Sequence, residues 1–500
     1  MSGTMMTIYA DGLFGRKDIF ASFDDITREN VVAEVNKALV IHYENLLEED
    51  YLYWYRRGIT PVLGRTKERN QFVLNKVNVG IAEEIVTFKN GYFMTQPSFY
   101  VARNNASQSK IDKLNEFLYR SGKQQADNAL VDWFHTVGKA ALFIEPNDDD
   151  ETPYKAYALD PRSAFVVYSM SPGKKPIMGI HTVLVGDELW IDVYTENKFF
   201  RLSGSTVGKI VTPVPSYEST AISVVGEFPN VLGKIPIVEY RYNSVNMASF
   251  EQVIGLIDTA SKIQSDRIDG LDQFIQSLVV LYNAEMPEDE TADTLKRKGM
   301  LLLKSSGENK ADIKILSEQL NQDQTQTFLD SIYDQIYSIC AMPRVQNGRT
   351  YDTTGAAVMA SAGWYQADAA ARNCEDLFRE SNKQFDEIVL EILKSKGILD
   401  IAPSDFELHF IRNESANVQS KAQSFQTLLA AGMHPELAAS KSGVSNDPVG
   451  DMKRSEKYLK MIWGDPESVD KAEEENSGQG EAQIIESDSF NGDNETGGAV

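Results

Sequence analysis

From Ser249 to Leu278 the residues Val253, Leu256, Ile257, Ala260, Ile263, Arg267 or Ile268, Leu271, Phe274, Ile275 and Leu278 hold helical spacing almost without a break. That periodicity specifies one long helix, about 40 Å at 1.5 Å per residue. Ser249 and Gln252, three residues apart, form the sequence pattern of a capping box at its start. The positions off the apolar stripe carry Glu251, Asp258, Asp266, Asp269 and Asp272. A second such run spans about 322–341, with Phe328, Ile332, Ile336 and Ile339 on one face and Asp323, Asp330 and Asp334 on others. Between the two runs lies a short mixed segment: a strand at Leu278 to Tyr282, an acidic helix after Pro287, and strands at Met300 to Lys304 and Ile313 to Leu316. Two long helices flanking a small tip imply an antiparallel pair that carries the tip away from the rest of the chain.

The flanking sequence is of two kinds. Before the pair, helical spacing is expected over Thr27 to Glu49, Asn75 to Tyr92, Ile111 to Tyr119 and Asp127 to Val137. Val31, Val35, Leu39, His42 and Leu46 lie on the face of the first of these helices. It runs into Tyr51-Leu52-Tyr53-Trp54-Tyr55-Arg56-Arg57-Gly58, an aromatic cluster that most simply packs a core, although basic-aromatic mixtures also stack on bases. From Ala140 to Tyr242 the pattern turns β-rich, with strands at Ala141 to Ile144, Phe165 to Tyr168, His181 to Val185, Leu189 to Tyr194 and Ile235 to Tyr240. This reads as a mostly antiparallel meander packed on the preceding helices. After the pair, Pro343 ends the second helix and Arg344 to Gly355 has loop chemistry. Helix returns over Ala356 to Lys396, opening with a small-residue run, Ala356 to Gly363, that permits close backbone approach. A strand at Leu408 to Ile411 and helices at Asn417 to Leu429, Pro435 to Lys441 and Asp447 to Met461 follow. The chain as a whole is α+β, mostly helical, with no repeat of fixed period.

Charge bounds the partners. The net charge of −24 disfavours tight adhesion to DNA or anionic lipid over the whole surface. Residues 466–500 hold ten acids against Lys471, which places −9 of the total in a segment too poor in apolar residues to fold, so it is expected to be disordered. No apolar run approaches the roughly 18 residues a bilayer needs, and no charged-then-apolar leader sits at Met1; neither a membrane span nor conventional export is expected. Two cysteines, Cys340 and Cys374, suit packing as small hydrophobes in a reducing cytosol.

Catalytic patterns fail on spacing. Gly226 to Gly233-Lys234 has six residues between its glycines and is followed by Ile235, and Gly204 to Gly208-Lys209 has three and is followed by Ile210, so neither is a phosphate-cradling loop. His42, His135, His181, His409 and His434 lie in separate segments without a second ligand at metal spacing. There is no G-x-S-x-G and no H-E-x-x-H; Ser171-Pro172-Gly173-Lys174 matches S-x-x-K inside a turn. Asp148-Asp149-Asp150-Glu151 reads as a solvated acidic loop before it reads as a cation site. No catalytic activity, cofactor or metal is expected.

The order of the features resembles the portal proteins of tailed bacteriophages, the family typical of long-tailed (siphovirus-type) phages with a wing, stem, clip and crown. The residues carrying the resemblance are Trp54-Tyr55-Arg56-Arg57-Gly58; Asn75-Lys76-Val77-Asn78 leading to Ile85-Val86 and Gly91 to Pro97; Asp160-Pro161 with Phe165 to Tyr168; Gly233-Lys234-Ile235-Pro236-Ile237-Val238-Glu239-Tyr240; Ile257-Asp258; Thr354-Gly355-Ala356-Ala357; and Phe410-Ile411-Arg412-Asn413. One departure is Thr95-Gln96-Pro97, where the family carries glycine before the proline. The resemblance implies a wing over 1–248, stem helices over 249–278 and 322–341, a clip over 279–321, a tunnel loop over 342–356 and a connecting helix and crown over 357–465. It also implies a ring of twelve copies at one capsid vertex, in the virion and in host cytoplasm during assembly. Expected partners are major capsid and scaffolding proteins, terminase, a head-tail connector and passing double-stranded DNA. On this reading Glu251, Asp258, Asp266, Asp269, Asp272, Asp323, Asp330 and Asp334 line the DNA channel, where carboxylates prevent counterion-release attraction. The same acids read equally as the solvated side of amphipathic helices. Arg344, Asn347 and Arg349 belong to the tunnel loop, the two arginines as transient phosphate contacts or as ordinary turn residues. Two other readings are a capsid-associated ring adaptor or scaffold without a portal role, and an acidic hydrolase using paired carboxylates.

Overall fold

In the computed structural model α1, Val31–Arg56, runs past the expected end at Glu49 because Tyr51, Leu52 and Tyr55 continue its buried face. The aromatic cluster is therefore the last two turns of the helix, and Arg57 ends it. The structure describes residues 15–67, 73–103, 107–186, 188–205, 222–275, 278–282, 284–285, 304–305, 312–316, 322–344, 363–410, 418–445, 450–452, 455 and 458. They fall in two compact units, Met1–Asn417 and Val418–Val500.

In the first unit α1 is preceded by β1, Ile19–Phe20, and followed by α2, Ile81–Phe93, β2, Phe99–Ala102, α3, Gln108–Arg120, and α4, Lys123–Val137. The β-rich region then supplies β3, Lys139–Pro146, β4, Tyr154–Leu159, β5, Ala164–Tyr168, β6, Pro176–Val185, β7, Glu188–Tyr194, β8, Lys198–Ser205, β9, Ile222–Pro229, and β10, Ile237–Arg241. Among the described residues these form a sheet ordered β1-β5-β6-β7-β8-β9 and a second ordered β10-β3-β4. The meander from β5 to β9 is antiparallel throughout, and β1 joins it parallel to β5. The expected single meander is thus two sheets. Period-two alternation sends Phe165, Val167, Met178, Ile180, Ile191, Val193, Phe200 and Leu202 to one face, where they pack on Val31, Val35 and Leu39 of α1. Each such burial is worth roughly 1.5–3 kcal/mol. β4, β8 and β9 lack a clean sequence signal; β9 is broken by Gly226 at a ladder irregularity opposite Arg201 and Leu202.

The 3₁₀ turn Glu251–Val253 opens α5, Ile254–Ile275, which has 22 residues and so spans about 33 Å. The capping box expected at Ser249 and Gln252 does not form. The Ser249 hydroxyl donates instead to the carbonyl of His135 at 2.9 Å, and Glu251 takes the reciprocal role by accepting the Ala248 N–H at 2.7 Å. β11, Leu278–Tyr282, pairs antiparallel with β14, Asp312–Leu316, and β12, Ala284–Glu285, with β13, Lys304–Ser305. α6, Gln322–Ile339, returns alongside α5. The strand expected over Met300 to Lys304 is described only at Lys304 and Ser305. The acidic helix after Pro287 lies outside the described residues, as does the loop from residue 345 on.

α7, Trp364–Ser395, starts after Gly363, whose φ of 81° is a left-handed cap that glycine adopts without strain. Its buried residues Phe378, Phe385, Ile388 and Leu393 share a core with Leu130 and Phe134 of α4 and with Leu142 and Tyr240 of the second sheet. β15, Phe406–His409, pairs with β2. The small-residue run before Gly363 is outside the described residues.

The second unit contains α8, Val418–Ala430, and α9, Pro435–Ser442, which pack on each other across a turn at Gly432. The helix expected over 447–461 and the tail from 466 lie largely or wholly outside the described residues.

Candidate functional site

The α5/α6 pair stands on one apolar base. Val253, Ile254, Ile257 and Ala260 of α5 and Leu329, Ile332 and Ile336 of α6 share a buried cluster with Tyr55 of α1, Ile81 and Ile85 of α2, and Phe250. Arg267 of α5 donates to the Gln326 side chain of α6 at 2.9 Å, which sets the register of the two antiparallel helices. Tyr337 donates to Glu84 of α2 at 2.9 Å and ties the base of α6 to the body.

The acids of α5 fall on one stripe, because Asp258, Asp269 and Asp272 are eleven and three residues apart at 3.6 residues per turn. That stripe is roofed by residues 60–67 and 73–79 of the same chain. Asn75 donates its backbone N–H to Asp269 at 2.7 Å and its side-chain amide to Asp269 at 2.9 Å and Asp272 at 2.7 Å. Arg65 pairs with Asp269 at 2.9 Å and also with Asp266, and Lys67 pairs with Asp269. The N–H groups of Val77 and Val79 donate to the hydroxyls of Ser265 and Ser261 at 3.0 and 3.5 Å. Burial pushes the Asp269 carboxyl up, but the Lys67 ammonium and the Asn75 donors outweigh it and hold Asp269 below its usual range. Asp258, half-buried, accepts from the Tyr55 hydroxyl at 2.9 Å, and burial raises its pKa to about 7. Glu251 is fully buried and pairs with Arg16 at 2.7 Å; that guanidinium also reaches Glu48 at 2.8 Å and the carbonyl of Val137 at 3.1 Å.

Glu251 and Asp269 are interior groups in this structure. A carboxylate enclosed by its own cations cannot be presented to a passing phosphate, so the open acidic wall expected along α5 is largely a set of internal contacts. α6 differs. Asp323, Asp330 and Asp334, seven and four residues apart, share one stripe and are exposed. Asp330 accepts from Gln326 at 2.9 Å, and Arg344 pairs with Asp334. Asn347 and Arg349 lie outside the described residues. Arg65, Lys67, Asn75 and Arg16 were not recognisable as partners in the sequence, since each lies some 200 residues or more from the acid it meets; the excess of cations over Arg56 to Lys67, which contains no acid, was the available signal.

The aromatic cluster packs a core and also makes a guanidinium stack. Tyr55 lies parallel to Phe250 at 5.9 Å. The Tyr53 ring, stacked on Trp133 at 5.6 Å, has the Arg57 and Arg162 guanidinium carbons 4.3 and 4.1 Å from its centroid. Arg56 bridges Glu83 and Asp132 at 2.7 and 2.8 Å.

The rejected motifs also have definite places. His42 stacks on Phe165 at 4.0 Å, and burial lowers its pKa to about 4; His135 is buried against Asn90 at 2.7 Å. Lys174 of the S-x-x-K match pairs with Asp18 at 2.8 Å. Asp150 and Glu151 of the acidic loop pair with Lys396 and Arg120 at 3.5 and 3.0 Å. Both cysteines are buried free thiols, and burial pushes Cys340 up to about 11. Among the described residues no group of three or more His, Cys, Asp or Glu side chains is placed to share a metal ion, and no helix is long and apolar enough to cross a membrane.

Comparison with known proteins gives three further findings. Residues 40–480 match the family described as phage portal protein, SPP1 Gp6-like. The portal protein of Bacillus phage SPP1 is 25% identical over 232 residues, which is 45% of this chain and 45% of that protein, so the chain spans less than half the length of this relative. Solved chains from the neck of an empty GTA particle and from the virion of a native gene transfer agent particle align over 78% of this chain and 95% of their own length. Both are 13% identical, with TM-scores of 0.43 and 0.39.

Proposed function

The chain belongs to the phage portal protein family of the SPP1 Gp6-like type, and on that premise we propose that it forms a closed ring at one capsid vertex through which double-stranded DNA enters and leaves. The observation that carries this reading is the extent of the family match, from α1 to beyond α9. The same extent favours a portal over a ring adaptor, a scaffold or an acidic hydrolase. In this reading residues 1–248 are the wing, 249–278 and 322–341 the stem, 279–321 the clip, 342–356 the tunnel loop, 357–465 the connecting helix and crown, and 466–500 an acidic tail. Twelve copies close the ring; scaffolding and major capsid proteins surround it, terminase docks on it during packaging and a head-tail connector replaces terminase afterwards. The protein resides in the virion, having assembled in host cytoplasm, and turns over no ATP of its own.

The chemistry of the conduit follows from the division of acids between the two helices. A channel that passes DNA must not collect phosphates, and a wall without unmatched cations gives no counterion-release gain. Asp323, Asp330 and Asp334 of α6 are the carboxylates able to meet the lumen, while those of α5 hold the stem together. Arg344, drawn toward Asp334, and Arg349 supply weak phosphate contacts at the loop. Electron microscopy of the purified full chain tests the ring: closed particles with a central hole of duplex width are expected, and compact monomers overturn the reading. Replacing Arg344 and Arg349 together by alanine should leave rings intact and lower DNA packaging or retention; unchanged packaging removes the arginines from the mechanism.

A further inference from the structure

The buried face of α1 is not apolar throughout. His42, Asn45 and Glu49, three and four residues apart, run a polar stripe along it, and all three are buried. The stripe lies over the seam between the two sheets. His42 donates its Nε2–H to the carbonyl of Arg162, just before β5, at 3.0 Å. Asn45 accepts the Lys17 N–H at 2.8 Å and donates to the Lys17 carbonyl at 2.9 Å, just before β1. Glu49 is 2% exposed and lines, with Lys139 of β3, Phe165 of β5 and Glu239 of β10, a recess of about 10 Å³. That is space for one water molecule, far short of the hydration an ionised carboxylate requires.

Among the described residues the Glu49 Oε2 is buried without a hydrogen-bond partner. The cations around it are already matched. Arg16 pairs with Glu251 and Glu48 at 2.7 and 2.8 Å, and Lys139 with Asp18 and Glu239 at 3.2 and 3.4 Å. Arg241 pairs with Glu239 and Asp18 at 2.9 and 3.2 Å, and Arg162 with Asp160 at 2.7 Å. The Tyr168 hydroxyl donates to Glu239 at 3.2 Å, and His42, whose pKa burial lowers to about 4, is neutral. An ionised Glu49 would therefore be one carboxylate too many, and a buried charge without its own partner gives way to the neutral form. We infer that Glu49 is a proton-binding site: it stands in the seam as a neutral carboxylic acid, and loss of its proton to solvent loosens α1 from both sheets. Burial pushes the Glu49 carboxyl up to about 8; Arg16 and Lys139 pull against that, while Asp160 and Glu239 add to it. The seam is closed at neutral pH and receives an unmatched charge above that value. Glutamine would fill the same space permanently neutral, so it is the carboxyl that makes the seam respond to pH.

Glu49→Gln in the full-length chain tests the site, since glutamine has the size of the neutral acid and cannot ionise. Melting temperature is followed against pH at one protein concentration. The carboxyl titrates near 4.5 when unfolded and near 8 when folded, so wild type loses stability relative to the variant as pH rises through that window. The variant is expected to gain roughly 5 °C on wild type across the window and nothing further above it. Asp258 is present in both chains and cancels from the difference. Hydrogen exchange at the Lys17 amide, which Asn45 holds, is expected to rise at least about tenfold more in wild type than in the variant from about pH 7 to about pH 9. A difference in melting temperature that is independent of pH overturns the site. So does a variant that fails to fold or is less stable than wild type across the window, because the ionised form is then the one the fold uses. A pH-dependent difference with equal exchange at Lys17 overturns the loosening of the seam.

Discussion

α5 and α6 look alike as sequences and are unlike as surfaces. Each carries an apolar stripe and a file of aspartates, and both stand on one base. On α5 the file is covered by the chain's own residues 60–67 and 73–79, and its acids hold Arg65, Lys67, Asn75 and Tyr55 in place. On α6 no described residue covers Asp323 and Asp330 in this way, and both are exposed. The lesson is that an acidic helix face has two uses, as an internal fastener or as an exposed surface, and that distant cations decide between them.

The contrast is tested most severely at Glu251. Its partner Arg16 is fully buried, so Glu251→Ala leaves a guanidinium with one carboxylate fewer in the interior and should cost about 3–5 kcal/mol, seen as a large fall in the urea midpoint. A midpoint within error of wild type would show that α5 is no more fastened than α6. Next in size is Asp269→Asn, which weakens charge-assisted bonds from Arg65, Lys67 and Asn75 and should cost about 2 kcal/mol. The loss is local, so hydrogen exchange at the amides of Val77 and Val79 should quicken while α6 is unaffected.

A smaller, pH-dependent effect belongs to Asp258. Its carboxyl titrates near pH 7 when folded and at the ordinary lower value when unfolded, so the folded protein holds the extra proton between about pH 4 and 7. Stability from this group is present at the acid end of that window and is lost as pH rises through 7. Asp258→Asn should therefore gain in melting temperature relative to wild type as pH is raised from 4 to 8; a difference independent of pH would place the titration elsewhere. The smallest effect is expected for Asp323→Asn with Asp330→Asn, which should change monomer stability by no more than about 0.5 kcal/mol, since neither carboxylate is enclosed. A loss comparable to that of Asp269→Asn would erase the distinction between the helices.

The existence of α5 and α6 was legible because 3.6-residue periodicity is local, although α5 begins at Ile254 and not at Ser249, and the β11 strand from Leu278 to Tyr282 matches its sequence pattern to the residue. The end of α1 was misplaced by seven residues because aromatic residues fit a helix face or a loop core equally well. The Ser249 capping pattern misled for a different reason: the carbonyl of His135, 114 residues away, offered its hydroxyl another partner. β8 and β9 gave no clear signal because each contains a glycine, Gly204 and Gly226, and the ladder between them is irregular, which breaks the two-residue alternation. The family was visible in short motifs spread from Trp54 to Asn413, which fix an order of elements without fixing what touches what.

Sequence by itself determined the α+β class, the pair of long helices around a strand-bearing tip, and the family. All three depend on local periodicity or on the linear order of motifs. Only the tertiary structure decided which aspartates are exposed. Burial and pairing are set by groups far away along the chain: Arg65 lies about 200 residues before Asp269, and Arg16 about 235 before Glu251. A carboxylate's role depends on the cations and donors within a few ångströms of it, and nothing in the sequence around Asp269 or Asp323 states which of the two has them.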